Sequence, residues 1–593
     1  MRREYNTTHE RLIRQCARNV GFVALVFTLT VATLLATDWY RVNSATTIRS
    51  EVLAQALAQS RQHADDQQSV VFARELDLLA RRAYFNSRTF QQHGMSLLVI
   101  GLLLTTACFG VAWRFHLSIP DPRQHTDEDP ARTDHRAVQV LLVISTLLLI
   151  SALMFHLKYQ RRKTTPVDRT LRASLKNPAL QPGEVHVCPC RQGTSPAALA
   201  EQWPFLRGPT LSGRASPGAA PWRWNAETGH NILWKSKLTH AGSSSPVIWD
   251  NRLFITSGHV ETRIVMAYDT LSGQPLWNTA IPDLGPTNTP LPLVDEATGY
   301  AASTPACDEK HVYAIFGTGD LVALDHNGKI VWQRFLGRPK NSYGHASSLV
   351  YCGEMLIVQW DQDEASAILA IDKNTGKTIW QTPRDLGMSW STPLIMPLCD
   401  RYLLLVHANR ETWGLTLATG EKLWQVATVN GEIAPSLTWE DDIWLTANCY
   451  SKMMAFKNSL TGAPALLWER EDGNWPDVAS PVISAGLVYI ATDAGEIVCH
   501  DLTTGELVWQ HEFDDGYYAS PLVAENKLYV VDRVQGLFRV YKADRSGQEL
   551  SANPMGEPIT ATPAFKDGKL FIRGKSHLWC VAEKQNANVP TSN

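Results

Sequence analysis

The chain has 593 residues, too many for one ordinary domain, and 55 Lys and Arg against 58 Asp and Glu leave a formal charge of −3. That balance provides no basic domain and argues against a nucleic-acid partner. Ten cysteines are too sparse for a disulfide framework, whereas 20 tryptophans are unusually many and ask for a structural reason.

Residues 1–19 are polar and carry Arg2, Arg3, Arg11, Arg14 and Arg18, which mark a cytoplasmic N-terminus. The apolar run 20–36 lacks a small-residue cleavage site after it and reads as an uncleaved first span. Residues 38–94 read as a helical hairpin, with Phe72, Leu76, Leu79 and Phe85 on one face and a break near Asp65 and Asp66. A second apolar run, 95–113, a Pro-containing polar loop, 114–137, and a third apolar run, 138–155, complete a helical membrane region with three transmembrane helices. Arg114, Arg123, Arg132 and Arg136 in that loop agree with a cytoplasmic N-terminus, while Lys158, Arg161, Arg162 and Lys163 after the third run oppose it. Letting the first span dominate predicts a multi-pass protein of the inner (cytoplasmic) membrane with its large domain on the periplasmic, exported side.

Residues 156–230 are a linker rich in Pro, Gly, Ser and Ala. Cys188 and Cys190 in it match neither a C-x-x-C redox pair nor a haem attachment site. Trp203 to Gly208, WPFLRG, is expected to pack as a plug or clasp on the following domain, anchored by Arg207.

From residue 231 a unit recurs, clearest between Ser480 and Phe513. Three short apolar strands are followed by the turn Asp501 to Gly505 and a fourth strand bearing Trp509. In that turn Asp caps its own backbone and Gly takes a positive φ. The pattern returns at Asp269 to Trp277 and Asp372 to Trp380, and one residue shorter at Asp325 to Trp332. Thr419-Gly420 with Trp424, and Thr461-Gly462 with Trp468, keep all but the Asp. First strands open at Ser245-Pro246, Thr304-Pro305, Ser347-Ser348, Thr392-Pro393, Ala434-Pro435, Ser480-Pro481, Ser520-Pro521 and Thr562-Pro563. Eight starts, mostly about 40 to 45 residues apart, are the period of a four-stranded propeller blade. The predicted fold is an all-β eight-bladed propeller of four-stranded antiparallel blades over residues 231–583, with a disordered tail, 584–593. Because the eighth blade stops after its third strand, the orphan strand 231–238, with Leu233-Trp234, is expected to complete it and remove the free edges of an open ring.

Trp234, Trp277, Trp332, Trp380, Trp424, Trp468 and Trp509 occur once per blade at a fixed position, as inter-blade packing requires and a ligand-stacking set does not. Asp269, Asp325, Asp372 and Asp501 read as turn caps. Residues just before the first strands are the candidate binding set at one mouth of the channel: His240, Tyr300, His345, Trp390, Glu432, Asp477 and Tyr518, with His345 and Trp390 foremost. Asp361, Asp363 and Glu364 form an acidic cluster that reads as a solvated loop before it reads as a cation site. No metal-ligand spacing, phosphate loop or nucleophile elbow occurs.

The A-x-D-x-x-T-G-x-x-x-W turn resembles the PQQ-like repeat of the quinoprotein superfamily, over roughly residues 231–583. Within that superfamily the chain is similar to the cofactor-free, BamB-type eight-bladed scaffold proteins. Trp203 to Gly208, the apolar runs within 20–155 and Leu76 to Tyr84 resemble membrane-anchored PQQ-like repeat proteins of planctomycete-type bacteria. Blades seven and eight depart from the pattern, with Leu550 and Cys580 where Trp and turn signals are expected. The resemblance implies an exported, membrane-anchored propeller acting as a non-catalytic binding or scaffold module for a protein partner or an envelope polymer. The alternative it implies is a PQQ-dependent dehydrogenase with calcium; the family's enzymes carry adjacent cysteines, calcium ligands and a catalytic Asp, and no Cys-Cys occurs here. No cofactor is therefore expected and no catalytic residue is assigned. A ligand sensor is a weaker alternative.

Overall fold

In the computed structural model the described residues are 16–35, 37, 97–112 and 196–583, less 216, 217, 260, 288, 293, 296, 297, 399, 400, 460 and 461. The predicted hairpin 38–94, the loop 114–137, the apolar run 138–155, Cys188, Cys190 and the tail 584–593 lie outside them. The chain divides into two units, residues 1–184 and 185–593.

In the first unit, helix α1 spans Cys16–Leu35 and is long and apolar enough to cross a membrane. Its 20 residues reach roughly 30 Å at 1.5 Å per residue, the thickness of bilayer hydrocarbon. Helix α2, Leu97–Ala112, is apolar but shorter. The expectation of three transmembrane helices is corrected accordingly: one described helix has the length, α2 falls short of it, and the third run is not among the described residues. The two helices approach through small residues. A Cβ on Gly21 would lie 3.3 Å from the Cβ of Cys108, Gly101 faces the Thr28 hydroxyl, and Phe22 meets Phe109 edge to face at 5.4 Å. Val23, Val26, Leu29, Ile100 and Leu103 stay exposed on the outside of the pair.

In the second unit, a short helix, α3 (Pro196–Ala200), precedes 32 strands in eight four-stranded antiparallel sheets. Seven sheets are simple meanders of consecutive strands, such as β10 (Val350–Cys352), β11 (Met355–Trp360), β12 (Ala367–Asp372) and β13 (Thr378–Pro383). The second and third strands of a blade are covered on both faces by neighbouring blades. They accordingly read as unbroken apolar runs, and all of β11 is buried. The outermost strand is covered on one face, so β13 alternates exposed and half-buried residues.

The eighth sheet joins the two ends of the domain. Strand β1 (Ile232–Lys237) lies antiparallel to β32 (His577–Val581), with Trp234 opposite Cys580 and Lys237 opposite His577. Every outermost strand carries a register slip beside its Trp position. The slipped residues, among them Leu233, Leu276, Val331, Ile379 and Leu423, are exposed aliphatics. Bulges at this place twist the unpaired outer edges away from pairing with other strands.

The repeat Trp residues hold adjacent blades together. The indole N–H of Trp277 donates to the carbonyl of His326 in the next blade at 2.9 Å, and the same bond runs from Trp234 to Thr270, Trp332 to Lys373, Trp380 to Leu417, Trp468 to Leu502 and Trp509 to Asp544. Each acceptor sits in a turn whose Gly lies under the indole. A Cβ on Gly328 or Gly505 would come within 2.7 Å of the ring, so the turn needs Gly for contact as well as for its positive φ. The Asp residues cap these turns as expected: the Asp501 carboxylate accepts from the amides of Thr503 and Thr504. At the fifth blade, whose turn lacks the Asp, Trp424 lies parallel to Trp444 at 6.5 Å.

Blade seven has no repeat Trp; Ser551 stands opposite Val540 at that register. The chain entering β1 fills the seam. Ser551 donates to the carbonyl of Trp222, the Trp224 amide donates to Asn553 at 3.0 Å, and the buried Trp224 ring meets Phe538 edge to face at 5.4 Å.

Candidate functional site

Where the eight first strands meet, their hydroxyls and amides form a closed circuit. The amide of Ser245 donates to the hydroxyl of Thr304. The series continues through Ser348, Thr392, Ser436, Ser480, Ser520 and Thr562, and the Thr562 amide donates back to Ser245. All eight bonds measure between 2.9 and 3.1 Å. The circuit supplies the true repeat register. Ser436 follows Pro435 rather than preceding it, and Ser348, not Ser347, is the member from blade three.

One side of the circuit is closed by the segment 203–215. Trp203 pairs with Ile248 of strand β2 (Val247–Trp249), the Pro204 carbonyl accepts from the Cys307 amide, and Phe205 meets Tyr351 edge to face at 4.8 Å. Further along, Gly213 and Ala215 exchange backbone bonds with Val523. Between these contacts Arg207, at a φ of 68°, turns its side chain inward. Its guanidinium donates to the carbonyls of Leu437 at 3.1 Å, Ser212 at 3.1 Å and Pro481, and is fully buried. The segment 203–215 therefore ties the first, second, third, fifth, sixth and seventh blades to one strand of chain.

The candidate residues of the other mouth do not share one level. Counted back from the circuit, His240, Tyr300, His345, Trp390, Glu432, Asp477 and Tyr518 sit five, four, three, two, four, three and two positions before it. His345 is 2 % exposed, lies against Trp360 at 4.9 Å, and burial pushes its imidazole down to about 4, so it is neutral. Trp390 is 8 % exposed; its indole donates to the Gly344 carbonyl at 2.9 Å and its ring meets Tyr343 edge to face. These two side chains pack the wall between blades three and four. The other five are half-buried. The His240 ring bonds the Thr239 hydroxyl, Tyr300 donates to the Pro292 carbonyl, and the Glu432 carbonyl accepts from Asn448. Asp477 takes a bond from the Cys449 thiol at 3.3 Å, and Tyr518 lies under the Arg533 guanidinium at 4.5 Å. The position two before the circuit is Ser243, Ala302, Ala346, Trp390, Ala434, Val478, Tyr518 and Thr560. Small side chains prevail there, interrupted by Trp390, Val478 and Tyr518.

The acidic cluster separates. Asp363 and Glu364 are exposed, and Glu364 pairs with Lys340. Asp361 departs from the reading as a solvated loop: it is 1 % exposed and 3.2 Å from the equally buried Arg384. Burial pushes its carboxyl up to about 6, opposed by Arg384 and by the Gln359 amide that donates to it at 2.7 Å. Beside this pair His407 spans Thr412 and Thr446 with its two ring nitrogens, and burial next to Arg384 pushes it down to about 3. Sequence reasoning missed this network because its members come from strands and loops of three blades. A run of acids followed by a lone Arg gives no signal of burial.

Among the described residues no three His, Cys, Asp or Glu side chains converge as metal ligands do.

The family model described as "Outer membrane protein assembly factor BamB" matches residues 214–350 and 459–544. The chain is similar to the outer membrane protein assembly factor BamB of Yersinia pestis, with 23% identity over 331 residues, 52% of this chain and 76% of that protein. It is similar also to BamB of Moranella endobia, with 24% identity over 259 residues, 40% of this chain and 63% of that protein. Among solved structures, a europium-containing methanol dehydrogenase aligns with a TM-score of 0.52 and 11% identity, covering 65% of this chain and 98% of that one. At that identity the likeness speaks for the propeller fold alone.

Proposed function

We propose that the ring, a propeller similar to BamB, serves as a non-catalytic scaffold that docks a protein partner, anchored at a membrane and displayed on the exported side. The observation that carries this reading is the plug. A segment contiguous with the chain entering the ring closes one mouth, with Trp203 paired to blade one and Arg207 bonded across the channel to the adjacent blades five and six. A ring braced in this way presents a pre-organised surface and loses little conformational freedom on binding. The docking surface is the opposite mouth, where the half-buried Tyr300, Glu432, Asp477 and Tyr518 stand at different levels before the first strands. The curated relatives bear the description of outer membrane protein assembly factors, which supports a protein in that role over an envelope polymer.

Anchoring rests on α1 and on the large apolar side chains that α1 and α2 expose around their contact. An odd number of crossings, with the Arg-rich N-terminus inside, exports the ring. Cys352 is disulfide-bonded, which fits an oxidising compartment.

The test uses the full-length chain solubilised from its membrane. Cross-linking and capture should recover a defined protein partner. Substituting Tyr518 and Asp477 with Ala should weaken capture by tenfold or more, about 1.4 kcal/mol, without lowering the melting temperature. Titration with PQQ and calcium should give no saturable quenching of Trp fluorescence and no dye-linked alcohol oxidation. Saturable binding with dye reduction would sink the scaffold reading in favour of a dehydrogenase, and recovery of a polysaccharide in place of a protein would replace the partner class.

A further inference from the structure

Arg207 is a fully buried cation, and among the described residues no carboxylate forms an ion pair with it. Burial pushes its guanidinium down to about 9, still protonated at neutral pH. A buried charge is expensive unless it is paired, because hydrogen bonds from carbonyl groups replace its hydration without neutralising it. Arg263, Arg384 and Lys373 obey the rule, each buried beside an Asp. Arg207 does not.

Its donors are also incompletely used. A guanidinium has five N–H bonds. The Leu437 carbonyl takes one from Nη1, and the Ser212 and Pro481 carbonyls take both from Nη2. One N–H on Nη1 and the Nε–H remain, and Nε is buried without a hydrogen-bond partner. Arg207 lines a cavity of about 10 Å³ together with Leu206, Leu211, Leu394, Leu437 and the circuit residues Thr392 and Ser436. Those two hydroxyls accept from the amides of Ser348 and Thr392, and no hydrogen bond from either hydroxyl proton to a described residue occupies them. The residues that line the cavity therefore include a cation without a counter-charge and with unused N–H groups, two hydroxyls, apolar side chains and no acidic group. The cavity's size admits about one water-sized occupant, so sulfate, phosphate and carboxylates are too large.

We infer that Arg207, Thr392 and Ser436 form a binding site for a single halide ion, chloride under cellular conditions, seated between the plug and the hydroxyl circuit. The ion supplies the missing counter-charge and fastens the plug to blades four and five. Closure of the ring's mouth is thereby made dependent on a solute.

The full-length protein in detergent is melted in sodium chloride, sodium bromide and sodium gluconate at equal ionic strength. Chloride and bromide should raise the melting temperature over gluconate by about 3 °C, with a saturable concentration dependence, and Arg207→Met should abolish the difference between the salts. No saturable halide increment in the natural protein, or an increment that survives in Arg207→Met, overturns the site and leaves a water in the cavity. Should Arg207→Met fail to fold, crystals of the natural protein soaked in bromide decide. An anomalous peak within hydrogen-bond distance of Arg207 and the two hydroxyls supports the assignment, and a cavity without one refutes it.

Discussion

The amide of Thr562 donates to the hydroxyl of Ser245 at 2.9 Å across 317 residues of sequence, which makes the hydroxyl circuit continuous. Ser245→Ala strands that buried amide without an acceptor, at a cost of about 1–3 kcal/mol. Ser245→Thr keeps the oxygen. Chemical denaturation should separate the two variants clearly; equal stability would mean that the circuit is incidental to the packing of the first strands.

Two glycines isolate the contribution of Trp docking. Gly505 and Gly486 share nearly the same backbone, with φ of 72° and 73°. A Cβ on Gly505 meets the Trp468 ring at 2.7 Å, whereas one on Gly486 meets nothing within 4 Å. Gly486→Ala should cost about 1 kcal/mol, the strain of left-handed backbone alone. Gly505→Ala should cost at least about 1 kcal/mol more. Matching midpoints in urea for the two variants would deny the indole its role.

Trp234 is 9 % exposed and donates to Thr270 from the strand that completes the ring. Trp234→Ala should destabilise the propeller by about 3–5 kcal/mol. The effect should match that of a chain lacking residues 1–240 more nearly than that of a chain lacking residues 1–201, compared by thermal melting. A chain starting at Ala241 that melts like one starting at Gln202 would show that β1 is dispensable.

Acid should loosen the seam between blades three and four. His345 and His407 are neutral in the fold, at about 4 and about 3, while an unfolded His takes its proton near its ordinary value of 6.5. The unfolded chain therefore binds more protons as pH falls below 6.5. The stability these residues contribute is present above that pH and is lost down to about 4 and 3 respectively, a few kcal/mol together. Asp361 opposes them: raised to about 6 from 3.8, it loses stability as pH rises through that window. With two groups against one, the melting temperature should fall between pH 6.5 and pH 4, and His345→Leu should flatten the curve. A melting temperature that is level over this range would contradict the burial of both rings as neutral groups.

The repeat, the blade number, the closing strand and the roles of the Trp and Asp residues were legible because each is written locally, in a turn of nine residues or fewer repeated around the ring. What was not legible depends on partners distant in sequence. Asp361 looks solvated until Arg384 is brought over it by β13. His345 and Trp390 look like mouth residues until Tyr343, Gly344 and Trp360 close around them. Leu550 reads as the lost Trp position until Ser551 takes that register and Trp222 and Trp224, some 329 residues earlier, fill the seam. In blade five the circuit hydroxyl lies two positions beyond the Ala434-Pro435 opening, because the Pro precedes Ser436 instead of following it.

The union of β1 with β32 has a consequence for how the protein is made. β1 leaves the ribosome about 340 residues before its partner, an interval of roughly 17–70 s at 5–20 residues per second. Throughout it the edge that β1 will cover has not been synthesised, and Trp234 has only the first blade's turn to shelter it. Each further blade can dock on the last as it emerges, so the nascent domain grows as an arc with one permanently waiting end. That end carries the sequence that follows the plug, and a chaperone attending this protein during its synthesis would have most to protect there.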